Sequence, residues 1–214
     1  MIKKIFIKQL NQIIIINQPY IALKFSDAEC YREFCYNIGN SIIYSINNEE
    51  ENCSNILFIK DPMNIDINNK KILTALYKKI IQYIDLNLKE HISLIENEIF
   101  KLLDELIYQT NYELYYDGEI DINKILGMYQ LSLKQNKDNN YLEFLVNYIK
   151  LNIELNDSSL IISFGLIKIL TKNELELLKK ELKLLNISLV DIIIETTNLS
   201  RISYLNVDSE WNVF

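Results

Sequence analysis

The residues best placed to do chemistry lie in the stretch Tyr112–Asp121, YELYYDGEID, which crowds Glu113, Asp117, Glu119 and Asp121 around Gly118 among three tyrosines. Several carboxylates on a short non-helical segment supply hard oxygen ligands of the kind calcium takes. Their mutual repulsion is relieved by a cation or by water. The stretch departs from an EF-hand loop, which needs oxygen donors at alternate positions and a closing Glu. Residue types alone favour an exposed acidic turn backed by packed tyrosines, with calcium ligation as the alternative.

Other candidate chemistry is thin. Glu49-Glu50-Glu51 falls in a polar stretch and reads as a solvated loop. Asp61 follows the apolar run Ile56–Ile59. At a strand terminus a polar side chain can reach a cleft, but a turn former before Pro62 explains it equally well. His91 is the single histidine, so Ser/His/Asp and Cys/His constellations lack support. The cysteines, Cys30, Cys35 and Cys53, form no CxxC pair and no metal-finger spacing; buried or idle thiols in a reducing compartment are expected. Neither G-x-x-x-x-G-K-[ST] nor G-x-G-x-x-G occurs, so nothing in the motifs cradles a phosphate. The residues themselves favour a binding or scaffolding protein over an enzyme.

The elements that must position any site centre on Asp157–Glu195. Ser158–Phe164 is a nearly all-apolar run, the pattern of a strand covered on both faces. After the link GLIKIL, Thr171 and Glu174 stand at capping-box spacing. Leu175, Leu178, Leu182 and Leu185 then make a helical stripe, Asn186 stops it, and Ile187–Ile194 is a second buried strand. Two such strands around one helix should pair in parallel with a right-handed crossover.

Upstream, strands are expected at Ile2–Ile7, Ile13–Ile16, Tyr20–Phe25, Ile42–Ile46 and Ile56–Ile59. A helix capped by Ser26 should end at Gly39, with Cys30, Phe34 and Ile38 on its apolar side. From Asn69 the helical period dominates. Ile72, Leu76, Ile80 and Ile84 form one stripe; Ile92, Ile95, Ile99, Leu102 and Leu106 form a seam for another helix. These are two helices or one long bent one. Ile122–Leu126 reads as a short helix stopped by Gly127, Leu131–Leu133 as a short strand, and Tyr141–Leu155 as a further helix. Tyr204–Val207 and Trp211–Phe214 close the chain as a hairpin. The helical block interrupts an α/β chain as an inserted domain would.

Of the 214 residues 49% are hydrophobic, and only 4 are Gly and 2 Pro. That suffices for a large core and argues against long flexible linkers. The formal charge of −7 argues against a generic polyanion binder, unless lysines converge on one surface. The start, MIKKIFIKQLNQIIII, is interrupted by Lys8, Gln9, Asn11 and Gln12 and lacks a small-residue cleavage site. No run approaches the roughly 18 apolar residues that span a bilayer. A cytoplasmic protein without membrane partner is expected.

Three stretches carry a family resemblance. They are LIISFGLIKILTKNELELLKK with SLVDIIIE, ILFIKDPMNIDINNKKIL at Ile56–Leu73, and DELIYQTNYELYYDGEIDINKILG at Asp104–Gly127; the tail YLNVDSEWNVF also fits. Together they resemble the accessory adaptation protein of type II-A CRISPR systems, the fourth Cas protein of that type. The resemblance implies an α/β fold: a P-loop-ATPase-like head with a mixed sheet and a degenerate nucleotide site, plus an inserted α-helical leg. On this chain the head would be 1–68 and 157–214 and the leg 69–156. It further implies a non-catalytic protein active in antiviral defense. Such a protein forms a homotetramer ring with a positive central hole and binds double-stranded DNA ends without sequence preference. Calcium stabilises it, and in spacer acquisition it acts beside the CRISPR integrase proteins and the effector nuclease.

By the same resemblance Glu113, Asp117 and Glu119 fall at acidic positions and Glu105 matches an upstream acid, so a calcium role now outweighs the bare turn. Tyr115 stands where other members carry an acid. Lys134 and Lys172 fall at basic positions, where DNA contact and a merely solvated lysine weigh equally for either alone. Relatives carry lysines where this chain has Asn156-Asp157-Ser158. Two rival readings are a nucleotide hydrolase with a degenerate phosphate loop, served by Thr171 and Lys172, and a protein-interaction adaptor docking through the helical block.

Overall fold

A computed structural model describes the chain except residues 1–2, 52, 85, 111, 117, 135–139 and 195–203; the side chains of 39–41, 53 and 86 are also outside it. The chain divides into two compact units, Met1–Ile67 with Asn136–Phe214, and Asn68–Gln135.

In chain order the first unit contains β1 (Lys3–Ile7), β2 (Gln12–Ile16), β3 (Tyr20–Phe25), α1 (Ala28–Ser41), β4 (Ile42–Ile46), β5 (Glu49–Glu50) and β6 (Ile56–Ile59). The second holds α2 (Lys70–Gln82), α3 (Leu86–Tyr108) and α4 (Ile122–Met128). The first resumes with α5 (Tyr141–Asn156), β7 (Leu160–Phe164), α6 (Lys172–Leu184), β8 (Ser188–Ile194) and β9 (Tyr204–Val207).

The strands form two sheets of pure type, not the single mixed sheet expected. One is antiparallel, in the order β2-β1-β4-β5; the other is five-stranded and parallel throughout, in the order β6-β7-β8-β3-β9. The hairpin residues at the start of the chain separate from the parallel strands because a tight turn joins only antiparallel neighbours. Leu10 and Asn11 close that turn, the latter with φ 46°.

The βαβ unit forms as the pattern dictates. β7 and β8 pair in parallel with Ser163 opposite Asp191. Thr171 caps α6, with both halves of the capping box present. Leu175, Leu178 and Leu182 are buried, and Asn186 follows with φ 53°. The pleat sends alternate residues to opposite faces. Ile21, Leu23, Phe25, Leu160, Ile162, Val190 and Ile192 meet β1, β2 and α1 in one core cluster with Phe34 and Ile38. The other face carries Tyr20, Ser163 and Asp191, and α6 packs on β8 and on α5 there.

Several boundaries differ from expectation. α1 is capped by Asp27, not Ser26, because Asp27 accepts the amides of Glu29 and Cys30. It runs through Gly39 to Ser41, since β4 begins immediately and leaves no room for a glycine stop. α4 likewise passes through Gly127. The two long apolar stripes of the second unit lie on separate helices, α2 and α3, divided after Gln82. No strand occurs at Leu131–Leu133. Asn68 clamps Leu133 by two hydrogen bonds of 2.8 and 3.1 Å, and the Tyr77 hydroxyl donates to Leu131 at 2.7 Å. Helix α5, placed in the leg by its stripe, clusters with the sheets: Leu145, Val146, Tyr148 and Ile149 are buried. β9 joins the parallel sheet beside β3, and Asn206 and Phe214 exchange two backbone bonds where the closing hairpin was expected. Among the described residues no helix is long and apolar enough to cross a membrane.

Candidate functional site

All five parallel strands end on one edge, and the neighbours β3 and β8 lead on in opposite directions: from β3 the chain continues to β6 at the far edge, from β8 to β9 on the other side of β3. Ligands of open parallel sheets bind outside the carboxyl ends at such a point. The turns there decide what can bind.

After β3 the chain makes no glycine loop. The Ser26 amide and hydroxyl both donate to the Val207 carbonyl, at 2.9 and 3.0 Å. Asp27 then places its carboxylate on the amides of Glu29 and Cys30, each at 2.9 Å. The Cys30 amide is the main reason this carboxyl lies below its usual range. Amides at a helix start would otherwise suit a phosphate. Here the chain's own anion occupies them.

The β7–α6 turn repeats the arrangement more deeply. Asp191 is fully buried. Its Oδ1 accepts Ser163 Oγ at 2.7 Å and the Leu166 amide at 3.0 Å. Its Oδ2 accepts the Tyr20 hydroxyl at 2.8 Å and the Ile167 amide at 2.8 Å. Burial pushes the Asp191 carboxyl up, against the four donors that favour its charge. Burial first, then the neighbouring carboxylate, pushes Tyr20 well above its ordinary range. Gly165 allows the turn, with φ 71°, and its amide donates to Ile192 at 2.9 Å. Two consecutive amides converging on one anion form an anion-binding nest, filled from within the sheet.

This turn carries Lys168, exposed between buried Leu166 and Leu170, and leads to Lys172 in the first turn of α6, also exposed. Glu174 is engaged by Thr171, whose hydroxyl and amide donate to it at 2.7 and 2.8 Å. Asp61 proves to be a turn former: it accepts the Met63 amide and Asn64 Nδ2 at 3.1 and 2.6 Å. Tyr141, whose hydroxyl donates to Pro62 at 2.8 Å, is pushed up to about 12, chiefly by burial.

In the second unit, Glu105, Glu113 and Glu119 are exposed, and Asp117 lies outside the described residues. The acidic stretch is tied to α3 by other groups. Tyr116 stacks on Phe100 with ring centres 5.2 Å apart and donates to Asp104 at 2.9 Å. Glu96 accepts the Ile120 amide at 2.8 Å, and Asp121 caps α4. Tyr112 and Tyr115 stay exposed. Among the described residues no three His, Cys, Asp or Glu side chains group to hold a metal ion. Lys134 is exposed and belongs to this unit, Lys172 to the other. The α3 seam remains uncovered, with Ile95 and Leu102 each 55% exposed.

Sequence reasoning missed Asp191 and Asp27. The signal for Asp191 was one carboxylate inside ISLVDIII, an otherwise apolar run, because a buried charge must have partners.

Residues 36–211 match a family model described as CRISPR-associated protein (Cas_Csn2). No curated protein matches. Among solved structures the chain is similar to cbiO1 of Clostridium perfringens, part of the ABC transporter complex cbiONQ, at 12% identity and a TM-score of 0.47, covering 95% of this chain and 78% of that one. It is also similar to a putative ABC transporter ATP-binding protein of Pyrococcus furiosus, at 12% identity and a TM-score of 0.40, covering 99% of this chain and 100% of that one.

Proposed function

The chain belongs to the Cas_Csn2 family of CRISPR-associated proteins, and we propose that it serves CRISPR adaptation as a non-catalytic ring binding double-stranded DNA ends without regard to sequence. The family match carries this reading. Copies of the chain assemble, as a homotetramer, so that lysines including Lys134 and Lys172 face the duplex. They meet phosphates only, which positions the DNA and reads no bases. The exposed apolar seam of α3 supports self-association, since contiguous apolar surface of this kind marks contact sites. Calcium acts on assembly by relieving repulsion among Glu105, Glu113, Asp117 and Glu119. The integrase proteins and effector nuclease are its partners in the cytoplasm.

The non-catalytic part rests on the two filled anion sites. Asp27 takes the amides after β3, and Asp191 takes those after β7. A nucleotide phosphate entering either place would meet a carboxylate. The rival hydrolase needs those positions open.

Gel shift on linear against closed circular duplex, with and without calcium, tests the reading. Binding to linear DNA alone, strengthened by calcium, is expected. Equal retention of both forms would remove threading, and ATP turnover above background would favour the hydrolase.

A further inference from the structure

We propose that Lys168 is a further phosphate contact, and that buried Asp191 is a positioning residue which sets the Gly165–Leu170 turn carrying it. This rests on the DNA reading above.

Asp191 is costly where it stands. Withdrawing a carboxylate from water is expensive, and an apolar side chain in a parallel strand would avoid that cost. The neighbours along β8 are apolar and buried. What the carboxylate does is specific: it ties two consecutive turn amides to Tyr20 of β3 and Ser163 of β7. Three strands of the sheet thus fix one turn. The turn is also closed on itself, with the Lys168 and Ile169 amides donating to Gly165 and Leu166 at 3.0 Å each. Leu166 and Leu170 are buried on either side of Lys168.

The result is a rigid turn with one cation outward, on the edge of the sheet where ligands bind. Among the described residues no carboxylate pairs with Lys168 or with Lys172, four residues on. The nearest acid along the chain, Glu174, is held by Thr171. A contact that depends on placement should fail when the turn is released, even though its lysine remains.

The test is a double-variant cycle on linear duplex, with full-length wild type, Lys168→Gln, Asp191→Asn and the pair. One lost phosphate contact lowers the log–log salt slope by about one. At 0.1 M salt that is roughly eightfold in affinity, the tenfold dilution from 1 M raised to the 0.9 power. Lys168→Gln should show this loss for each copy touching DNA. Asp191→Asn should match it, and the pair should bind no worse than the weaker single variant. Hydrogen exchange at the Leu166 and Ile167 amides should quicken in Asp191→Asn and stay unchanged in Lys168→Gln.

Wild-type binding by Lys168→Gln, or losses that multiply in the pair, would overturn the proposal while leaving the DNA reading standing. No binding by wild type would overturn both. Should Asp191→Asn not fold, Ser163→Ala replaces it in the same cycle: coupling to Lys168 supports the proposal, and independence refutes it.

Discussion

Replacing Tyr20 by Phe removes one hydroxyl from a site that is 1% exposed. Asp191 Oδ2 then keeps the Ile167 amide alone, while Oδ1 keeps both of its donors. A hydrogen bond to a charged group is worth about 1.5–3 kcal/mol. For a chain of this size each kcal/mol moves Tm by about 2–4 °C, so the variant should melt roughly 3–12 °C lower at neutral pH. The assay is built in. Trp211 is the only tryptophan, and it stands edge-on to Phe25 of β3 at 6.2 Å, so its fluorescence follows the unit under test. The pH dependence has a definite sign. Burial raises the folded Asp191 carboxyl above its unfolded value. Between the two values the folded chain holds a proton that the unfolded chain has lost, so this group's contribution falls as pH rises through that window. The Tyr20 donor favours the ionised form. The gap between wild type and Tyr20→Phe should therefore be widest at neutral pH and narrow on acidification through the window. No gap at neutral pH, or the same gap at every pH, would refute the ionised network.

Leu178→Ala should cost about 2–5 kcal/mol, because the residue is fully buried beneath α6. Leu177→Ala, 49% exposed on the same helix, should stay within about 0.5 kcal/mol in the same urea titration. Thr171→Ala should lower Tm at neutral pH. Its gap from wild type should narrow in acid, because Glu174 is held below its usual range first by the Thr171 hydroxyl, and the part that remains is the cap that the same hydroxyl gives the Glu174 amide. Glu113→Gln with Glu119→Gln should leave the mass of the assembly, by light scattering, indifferent to calcium or chelator, where wild type responds.

The parallel βαβ unit was legible because two signals agreed. Apolar runs of strand length flanked a leucine stripe with a capping box at its head, and local and global preferences then pointed the same way. The boundary at α1 was not, since Ser26 and Asp27 are both good caps. The choice fell to Val207, distant in sequence, which takes the Ser26 hydroxyl and leaves Asp27 for the helix. Leu131–Leu133 misled in the same way. Its apolar residues suggested a strand, but Asn68 and Tyr77 took the backbone groups that a strand partner would need. Asp191 was hidden for a different reason. Its meaning lies in three strands meeting, and strand order is not written in any local stretch.

The charge of the chain looks unfavourable for DNA, at −7, until distance is considered. At 0.1 M salt exposed charges are screened beyond about 10 Å. A duplex at contact therefore responds to the side chains it touches and little to the total. What matters is where the acids stand. Asp27, Asp61, Glu174 and Asp191 of the first unit all accept hydrogen bonds from the chain's own donors near the carboxyl edge of the parallel sheet, and the last is wholly out of solvent. Lys168 and Lys172 stand outward on the same turn and helix start. An acidic protein can present cations to a polyanion at a place where the nearby carboxylates are engaged by its own donors and the local lysines point outward. On the proposed DNA reading, the filled anion sites and the exposed cations are two sides of one arrangement: Asp27 and Asp191 occupy the turn amides after β3 and β7, and phosphate contact would fall to lysines outside them.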